Sequence, residues 1–153
     1  MGYQASVRRF AISDLHTVAQ LFDEYRQFYE QDSDLIHAEQ FIRARAENDE
    51  SLILVAENDS GKLDGFCQLY PTFCSVLAKP IYVLSDLFVT SSARRQGIAK
   101  KLMDAAQDQG KVDGKARVDL TTAKSNLKAQ ALYESQGWTR DNAYYTYNFD
   151  VKN

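Results

Sequence analysis

Two arginines, a glycine and two lysines follow an apolar segment in the stretch LFVTSSARRQGIAKKLMDAA, residues 87–106. The apolar part predicts a strand, and the periodic part predicts a helix that begins near Arg94. A helix that starts at the end of a strand directs its free N–H groups and the positive end of its dipole at whatever lies above that strand. Gly97 lets a phosphate approach the backbone, and Arg94, Arg95 and Lys100 add positive charge. We therefore predict that this loop binds a phosphate or pyrophosphate.

Two well-known nucleotide-binding loops are missing from the sequence. It contains no GxxxxGK[ST] segment, which excludes a Walker-type NTPase loop. It contains no GxGxxG segment either, which excludes the usual dinucleotide fingerprint. The basic loop therefore needs a different interpretation.

Composition and charge limit the partners of the chain. Its 153 residues, of which 44% are hydrophobic, predict one globular domain over residues 1–153. The net charge of -3 argues against a nucleic-acid partner, and the chain has no apolar run of about 18 residues that would predict a membrane span. Because no secretion signal or metal-ligand cluster accompanies Cys67 and Cys74, we expect free thiols, no metal and a cytoplasmic location. Gly2 and Ser6 match the myristoylation pattern only weakly.

Hydrophobic patterning predicts a mixed α/β fold with antiparallel strands first and helical crossovers later. The predicted strands are residues 5–10, 51–57, 62–73, 81–89, 116–122 and 143–149. The predicted helices are a first one capped by Ser13, then residues 37–49, 94–109 and 126–137, the last closed by Gly137.

Two motifs resemble a known family. RRQGIA, from Arg94 to Ala99, resembles the R/Q-x-x-G-x-G/A loop of the GCN5-related N-acetyltransferase (GNAT) superfamily, with alanine where glycine is common. NLKAQALYESQGW, residues 126–138, resembles the N-x-x-A-x-x-L-Y-E-x-x-G-F/W segment of that family, and the two motifs stand in the family's order and distance. The resemblance implies an α/β GNAT fold, a mixed, twisted and splayed sheet flanked by about four helices. It also implies acetyl-CoA as acetyl donor, an amine acceptor and a homodimer.

The resemblance assigns roles to single residues. Tyr133 stands where the family has the acid that protonates the leaving thiolate. Backbone groups of the splayed strand bind the pantetheine arm and the thioester oxygen. Asn126 binds the cofactor, caps its helix, or does both. The implied cofactor-binding residues are Leu87, Phe88, Val89, Arg94, Arg95, Gln96, Gly97, Ile98, Ala99, Lys100 and Asn126.

Acidic and aromatic residues predict the acceptor site. The segment DEYRQFYEQDSD lies in the first predicted helix and after it, and an acidic, aromatic pocket suits a cationic amine. Asp86 stands in YVLSDLFV, which resembles a strand of diamine acetyltransferases that carries two acids, with Ser85 replacing the first acid. We predict that Asp86 attracts the amine and helps to remove its proton, with a water chain as the alternative base. The predicted acceptor-binding residues are Tyr25, Arg26, Tyr29 and Asp86, with Tyr70, Phe73 and Tyr82 as aromatic walls.

Several acceptors and one other function stay open. The acceptor is a small amine such as a polyamine, an amino acid or an antibiotic amine, or else a lysine or N-terminus of a protein. We favour a small cationic amine. A non-catalytic module that binds acyl-CoA as a regulator is the other class, and Tyr133 argues against it.

Overall fold

Five strands and three α-helices occupy the chain up to Thr121, in a computed structural model that describes residues 4–152. In order they are β1 Ala5–Arg9, α1 Leu15–Phe28, α2 Leu35–Glu47, β2 Leu52–Asn58, β3 Leu63–Cys74, β4 Lys79–Val89, α3 Ile98–Val112 and β5 Val118–Asp119. A second compact unit begins at Thr122 and contains α4, Leu127–Ser135. Gly2, and with it the weak myristoylation pattern, lies outside the described residues.

The strands form one mixed sheet in the order β1-β2-β3-β4-β5. The first three pairings are antiparallel, whereas β4 and β5 are parallel and joined through α3. The parallel pair covers only Tyr82 with Val118 and Val83 with Asp119. Beyond Val83, β4 continues to Val89 with only β3 as a strand partner in the described chain. The predicted mixed, splayed sheet is confirmed.

Helices cover both faces of this sheet. Alternating strand residues pack with α1 and α2 on one face, because successive side chains of a strand point to opposite sides. That core consists of Leu15, Val18, Leu21, Phe22, Ala38, Ile42, Ile53, Val55, Leu63, Phe66 and Phe88. On the other face α3 buries Ile98, Leu102, Met103 and Ala106. The fold therefore holds β4, which leads into the basic loop, between two apolar layers.

Two helix starts differ from the prediction. The α1 helix begins at Leu15 after a 3-10 turn at Ile12–Asp14, so Ser13 is not its N-cap. The Asp14 carboxylate fixes this turn, since it accepts the Ala11 N–H at 2.8 Å and pairs with the Arg8 guanidinium at 2.8 Å. The α3 helix begins at Ile98 rather than Arg94, because a residue in the left-handed conformation precedes it and cannot continue a right-handed helix.

The predicted strand at residues 143–149 is wrong. The described part of the second unit contains no strand. The alternating aromatic residues there have no buried face, because Tyr144, Tyr145, Tyr147 and Phe149 are all exposed. Alternation predicts a strand only where a neighbouring strand supplies hydrogen bonds and a surface to bury.

The helices described in residues 4–152 are all too short or too polar to cross a membrane. Over the same residues, the structure brings together no group of three or more His, Cys, Asp or Glu side chains that could hold a metal ion. Cys67, which is buried, and Cys74 are free thiols.

Candidate functional site

An exposed loop joins β4 to α3. A 3-10 turn at Ser91–Ala93 follows β4, and the residues from Arg94 to Gly97 are exposed. Arg95 and Gly97 have φ angles of 66° and 74°, in the left-handed region. A positive φ at a residue other than glycine is uncommon and costs conformational energy, and such residues cluster at functional sites. Loops that contain such left-handed residues can direct several backbone N–H groups to one side, and that geometry binds anions.

The N-terminus of α3 is open toward this loop. Gly97 is the N-cap, and no side chain caps the helix. A Cβ placed on Gly97 would meet no described atom within 4 Å, so the space above the glycine is free. Ile98 is buried and anchors the first turn, while the ammonium of Lys100 lies 2.9 Å from the Asp104 carboxylate. Lys100 is therefore already paired, and the uncapped backbone adds the positive end of the helix dipole to the charges of Arg94 and Arg95.

The end of β4 brings three of the predicted cofactor-binding residues together. Arg94 Nε donates to the Val89 carbonyl at 3.2 Å, and its guanidinium lies 5.7 Å from the centre of the Phe88 ring. Phe88 is buried on the α1 face of the sheet, and Leu87 and Val89 are half-buried. This edge of β4 can offer backbone groups to a ligand, because β5 has ended before it.

A buried polar chain lies on the α1 face of the sheet, at Asp86. Gln68 Nε2 donates to Asp86 Oδ2 at 2.6 Å, and Ser51 Oγ donates to Gln68 Oε1 at 2.7 Å. Only 4% of Asp86 is exposed. Burial raises the pKa of the Asp86 carboxyl group above its usual range, and hydrogen bonds from Gln68, Ser85 and Tyr25 oppose that rise. A carboxylate in this setting accepts a proton more readily than one in water.

A β-bulge in β4 sets the direction of Asp86. Gln68 pairs with Asp86 and Leu69 pairs with Leu84, so Ser85 is an extra residue on β4. Ser85 is exposed, and its carbonyl accepts a hydrogen bond from the Tyr25 hydroxyl at 3.2 Å. Bulges of this kind redirect side chains and are common beside active sites.

Aromatic rings lie on the same face of the sheet as the Asp86 carboxylate. The Tyr25 ring packs edge-on against three other rings. The distances between ring centres are 6.2 Å to Phe66, 6.4 Å to Phe88 and 5.1 Å to Tyr29. Burial, and then the negative charge of Asp86, raise the pKa of Tyr25. Burial likewise raises the pKa of Tyr70 to about 12, so both phenols stay neutral near pH 7. Neutral rings around one carboxylate suit a cationic group.

Only some of the other predicted acceptor-binding residues lie near Asp86. Tyr29 contacts Tyr25 and is half exposed. Nη1 of Arg26 is buried and has no hydrogen-bond partner among the described residues. Tyr82 lies on the opposite face of the sheet, where its hydroxyl donates to the Asp113 carboxylate. Phe73 is exposed near the end of β3. Tyr82 and Phe73 therefore do not join the group around Asp86.

The second unit contains the other sequence motif. Asn126 caps α4, because its side chain accepts the Ala129 N–H at 3.2 Å. Gly137 closes the helix as predicted, with a φ of 89° and with the Trp138 N–H bonded to the Tyr133 carbonyl at 3.1 Å. The Tyr133 and Trp138 rings lie 6.3 Å apart. The capping role of Asn126 is confirmed, and its role toward a cofactor stays a prediction.

Gln68 and Ser51 are the site residues that sequence reasoning missed. A signal for Gln68 exists, since it is a polar residue at an inward position of an apolar strand, GFCQLY. Ser51 carries no comparable signal. Its role depends on the register between β2 and β3, which pairs Leu52 with Leu69.

Known proteins share the sequence pattern and the fold of this chain. The model of the acetyltransferase (GNAT) family matches residues 15–138. The chain is 45% identical over 146 residues to the uncharacterized N-acetyltransferase YhfO of Bacillus subtilis (strain 168), across 95% of this chain and 97% of that protein. It is similar to a crystal structure of a probable acetyltransferase, with a TM-score of 0.90 and 32% identity over 97% of this chain and 99% of the other. An aminoglycoside N-acetyltransferase in complex with CoA has the same fold, with a TM-score of 0.75 and 21% identity over 99% and 98% of the two chains.

Proposed function

The chain belongs to the GNAT family of acetyltransferases, and we propose that it moves an acetyl group from acetyl-CoA to the primary amine of a small cationic molecule. The observation that carries the choice of acceptor is the buried Asp86 carboxylate among aromatic rings on β4, in the strand that leads into the basic loop. A cation gains both from the carboxylate and from the ring faces.

The loop fits the pyrophosphate of acetyl-CoA. The uncapped start of α3, the open space above Gly97 and the guanidinium of Arg94 at the end of β4 are what a doubly charged phosphate group needs. The edge of β4 from Leu87 to Val89 would hold the amide-rich pantetheine arm by backbone hydrogen bonds. Arg95, Gln96, Ile98, Ala99 and Lys100 would contribute the rest of the loop.

Gly97→Val is expected to weaken acetyl-CoA binding by about tenfold or more, roughly 1.4 kcal/mol. The valine side chain would fill the space that the pyrophosphate needs, and it would strain a backbone with a φ of 74°. Titration calorimetry with acetyl-CoA measures the change.

Gly114→Val is the matched control for this variant. Gly114 also has a positive φ, 67°, and its Cβ would likewise meet nothing within 4 Å, but it follows α3 at the other end of the helix. It should show similar backbone strain and unchanged affinity. Equal affinities in both folded variants would contradict the assignment of the loop.

In the proposed mechanism, side chains and backbone groups of this chain carry out the proton transfers and stabilise the developing charge. Bound acetyl-CoA supplies the thioester whose carbonyl carbon the amine attacks. Asp86 attracts the ammonium form of the acceptor and takes its proton, directly or through water, so that the nitrogen has a free electron pair. Backbone N–H groups at the β4 edge stabilise the negative charge on the thioester oxygen. Tyr133 would donate its proton to the sulfur as the carbon–sulfur bond breaks, and the second proton lost by the attacking nitrogen would restore the phenol, directly or through water.

A panel of amines tests the proposed function. Release of free CoA from acetyl-CoA would be measured with polyamines, amino acids, antibiotic amines and lysine-containing peptides. Turnover with a small cationic amine supports the proposal, and a preference for peptides would support a protein acetyltransferase. Binding of acetyl-CoA without release of CoA for any amine would support a regulatory module instead.

The single domain over residues 1–153 and the homodimer stay predictions. Sedimentation equilibrium of the full chain measures the mass of the particle in solution and so tests the homodimer directly. A mass of about 17.4 kDa at all concentrations would contradict the dimer, since that is the mass of one chain.

A further inference from the structure

Gln68 links the candidate base to Ser51, the residue just before β2, through two hydrogen bonds of 2.6 and 2.7 Å. The residue is fully buried. We propose that Gln68 and Ser51 are positioning residues, which hold the Asp86 carboxylate in the orientation that receives the ammonium group of the acceptor. This inference rests on the proposed function and adds two residues to it, neither of which touches the acceptor or the donor.

The direction of each hydrogen bond supports this role. Gln68 Oε1 receives the hydroxyl proton of Ser51, so the amide has its NH₂ end turned toward Asp86. The opposite orientation would place Oε1 against the carboxylate, and the amide would then give Asp86 no hydrogen-bond donor. Ser51 thus fixes which end of the amide faces the acid.

A packing role alone does not account for Gln68. A buried amide costs desolvation, and leucine or methionine would fill a similar volume without that cost. The amide is useful where a buried carboxylate needs a donor, because an unpaired charge in this position costs far more than a lost neutral hydrogen bond. Gln68 and Asp86 are cross-strand partners in the register of β3 and β4, so the pairing is part of the sheet.

Few other titratable groups act on Asp86. From α1 it is faced by Tyr25 and from β3 by Tyr70, while Cys67 on β3 lies close enough for the charge of Asp86 to affect its thiol. Burial raises the pKa of Cys67 to about 12 and raises that of each tyrosine, so all three are neutral near pH 7. The bond from Gln68 lowers the pKa of Asp86, against the rise caused by burial. Removing Gln68 should therefore raise the pKa of Asp86, whereas a role of Gln68 in packing alone would leave that pKa unchanged.

The experiment follows the Asp86 carboxyl carbon by ¹³C NMR as the pH is varied, with the signal assigned from its loss in Asp86→Asn. Gln68→Leu should move the titration midpoint to higher pH. Ser51→Ala should move it in the same direction by less, since the amide remains but is free to turn. Ser51→Thr keeps the hydroxyl and should restore the wild-type midpoint.

Asn58→Ala is the matched control. It removes another amide donor, Asn58 Nδ2, from a buried carboxylate on β3, Asp64, at 3.0 Å. It should lower stability and leave the Asp86 midpoint in place. A midpoint that is the same in wild type, Gln68→Leu and Asn58→Ala would overturn the inference.

A second measurement separates this inference from the proposed function. In an amine acetylation assay, the acidic limb of the kcat/KM profile should shift to higher pH in Gln68→Leu, with a loss of about tenfold or more on that limb. An active wild type whose profile is unchanged in Gln68→Leu would overturn the positioning role and leave the proposed function intact. A wild type that acetylates no amine would overturn both, even if the NMR midpoint moves.

Discussion

Tyr133→Phe is expected to lower the single-turnover rate of acetyl transfer by about a hundredfold to ten-thousandfold, which is the usual value of a general acid in the transition state. The variant removes one hydroxyl and keeps the ring that lies 6.3 Å from Trp138, so α4 should keep its packing. The loss should fall on kcat with acetyl-CoA affinity nearly unchanged, because the hydroxyl is proposed to act only as the sulfur departs. Single-turnover conditions are needed so that product release does not hide the chemical step.

Tyr145→Phe is the matched control for Tyr133→Phe. It makes the same chemical change in an exposed tyrosine of the same unit, outside the sequence motif. It should transfer acetyl at the wild-type rate. A high-pH limb of the wild-type profile that weakens only in Tyr133→Phe would support the acid role. A folded Tyr133→Phe protein with the wild-type single-turnover rate would rule it out, and Tyr133 would then be a packing residue beside Trp138.

The basic loop was the part of the molecule most accessible from sequence. A glycine between basic residues, after an apolar strand and before a periodic segment, is a local pattern, and local patterns determine local structure. The pattern did not predict the residue at which α3 begins. Gly97 adopts the left-handed conformation, so Arg94 to Gln96 belong to the loop rather than to the helix.

Pairing between distant segments was less accessible. Residues 62–73 and 143–149 are both predicted as strands, yet only the first segment forms one, because β2 and β4 pair with β3 on both sides. The length of β5 could not be predicted either. β5 has only two residues because it pairs with β4 only at Tyr82 and Val83. The short length of β5 leaves the rest of the β4 edge open.

The polar chain at Asp86 depends both on a local sequence pattern and on pairing between distant segments. The prediction for Asp86 comes from its place in YVLSDLFV, which resembles a strand of diamine acetyltransferases. Its partner Gln68 is 18 positions earlier, and the bulge at Ser85 determines that the two side chains share a face. Sequence patterning places a residue on a strand, but a one-residue shift in register turns every side chain to the other face.

Asp86→Asn is expected to raise the apparent KM for cationic amines and to lower kcat/KM for them by about a hundredfold or more, as for the loss of a general base. The KM for acetyl-CoA should stay within about twofold of wild type, because the loop at Gly97 is unchanged. The substitution keeps the shape of the side chain, and the asparagine oxygen can still accept the Gln68 N–H. It removes the charge that attracts the ammonium and the group that receives its proton. Steady-state kinetics with both substrates varied measures the two constants separately.

Stability should respond in the opposite direction to activity. Burial raises the pKa of Asp86 in the folded protein above its value in the unfolded chain, so folding favours the protonated form. The charged form therefore costs stability once the pH rises through the folded pKa, and the stabilising contribution of the protonated form is complete only below the unfolded pKa. At neutral pH the neutral asparagine avoids this cost, and the Tm of Asp86→Asn should equal or exceed that of the wild type. In acid, below the unfolded pKa, the difference should disappear. A structural acid would behave otherwise: Asp86→Asn would lower Tm at neutral pH and leave the amine KM unchanged, and that pair of results would remove Asp86 from the mechanism.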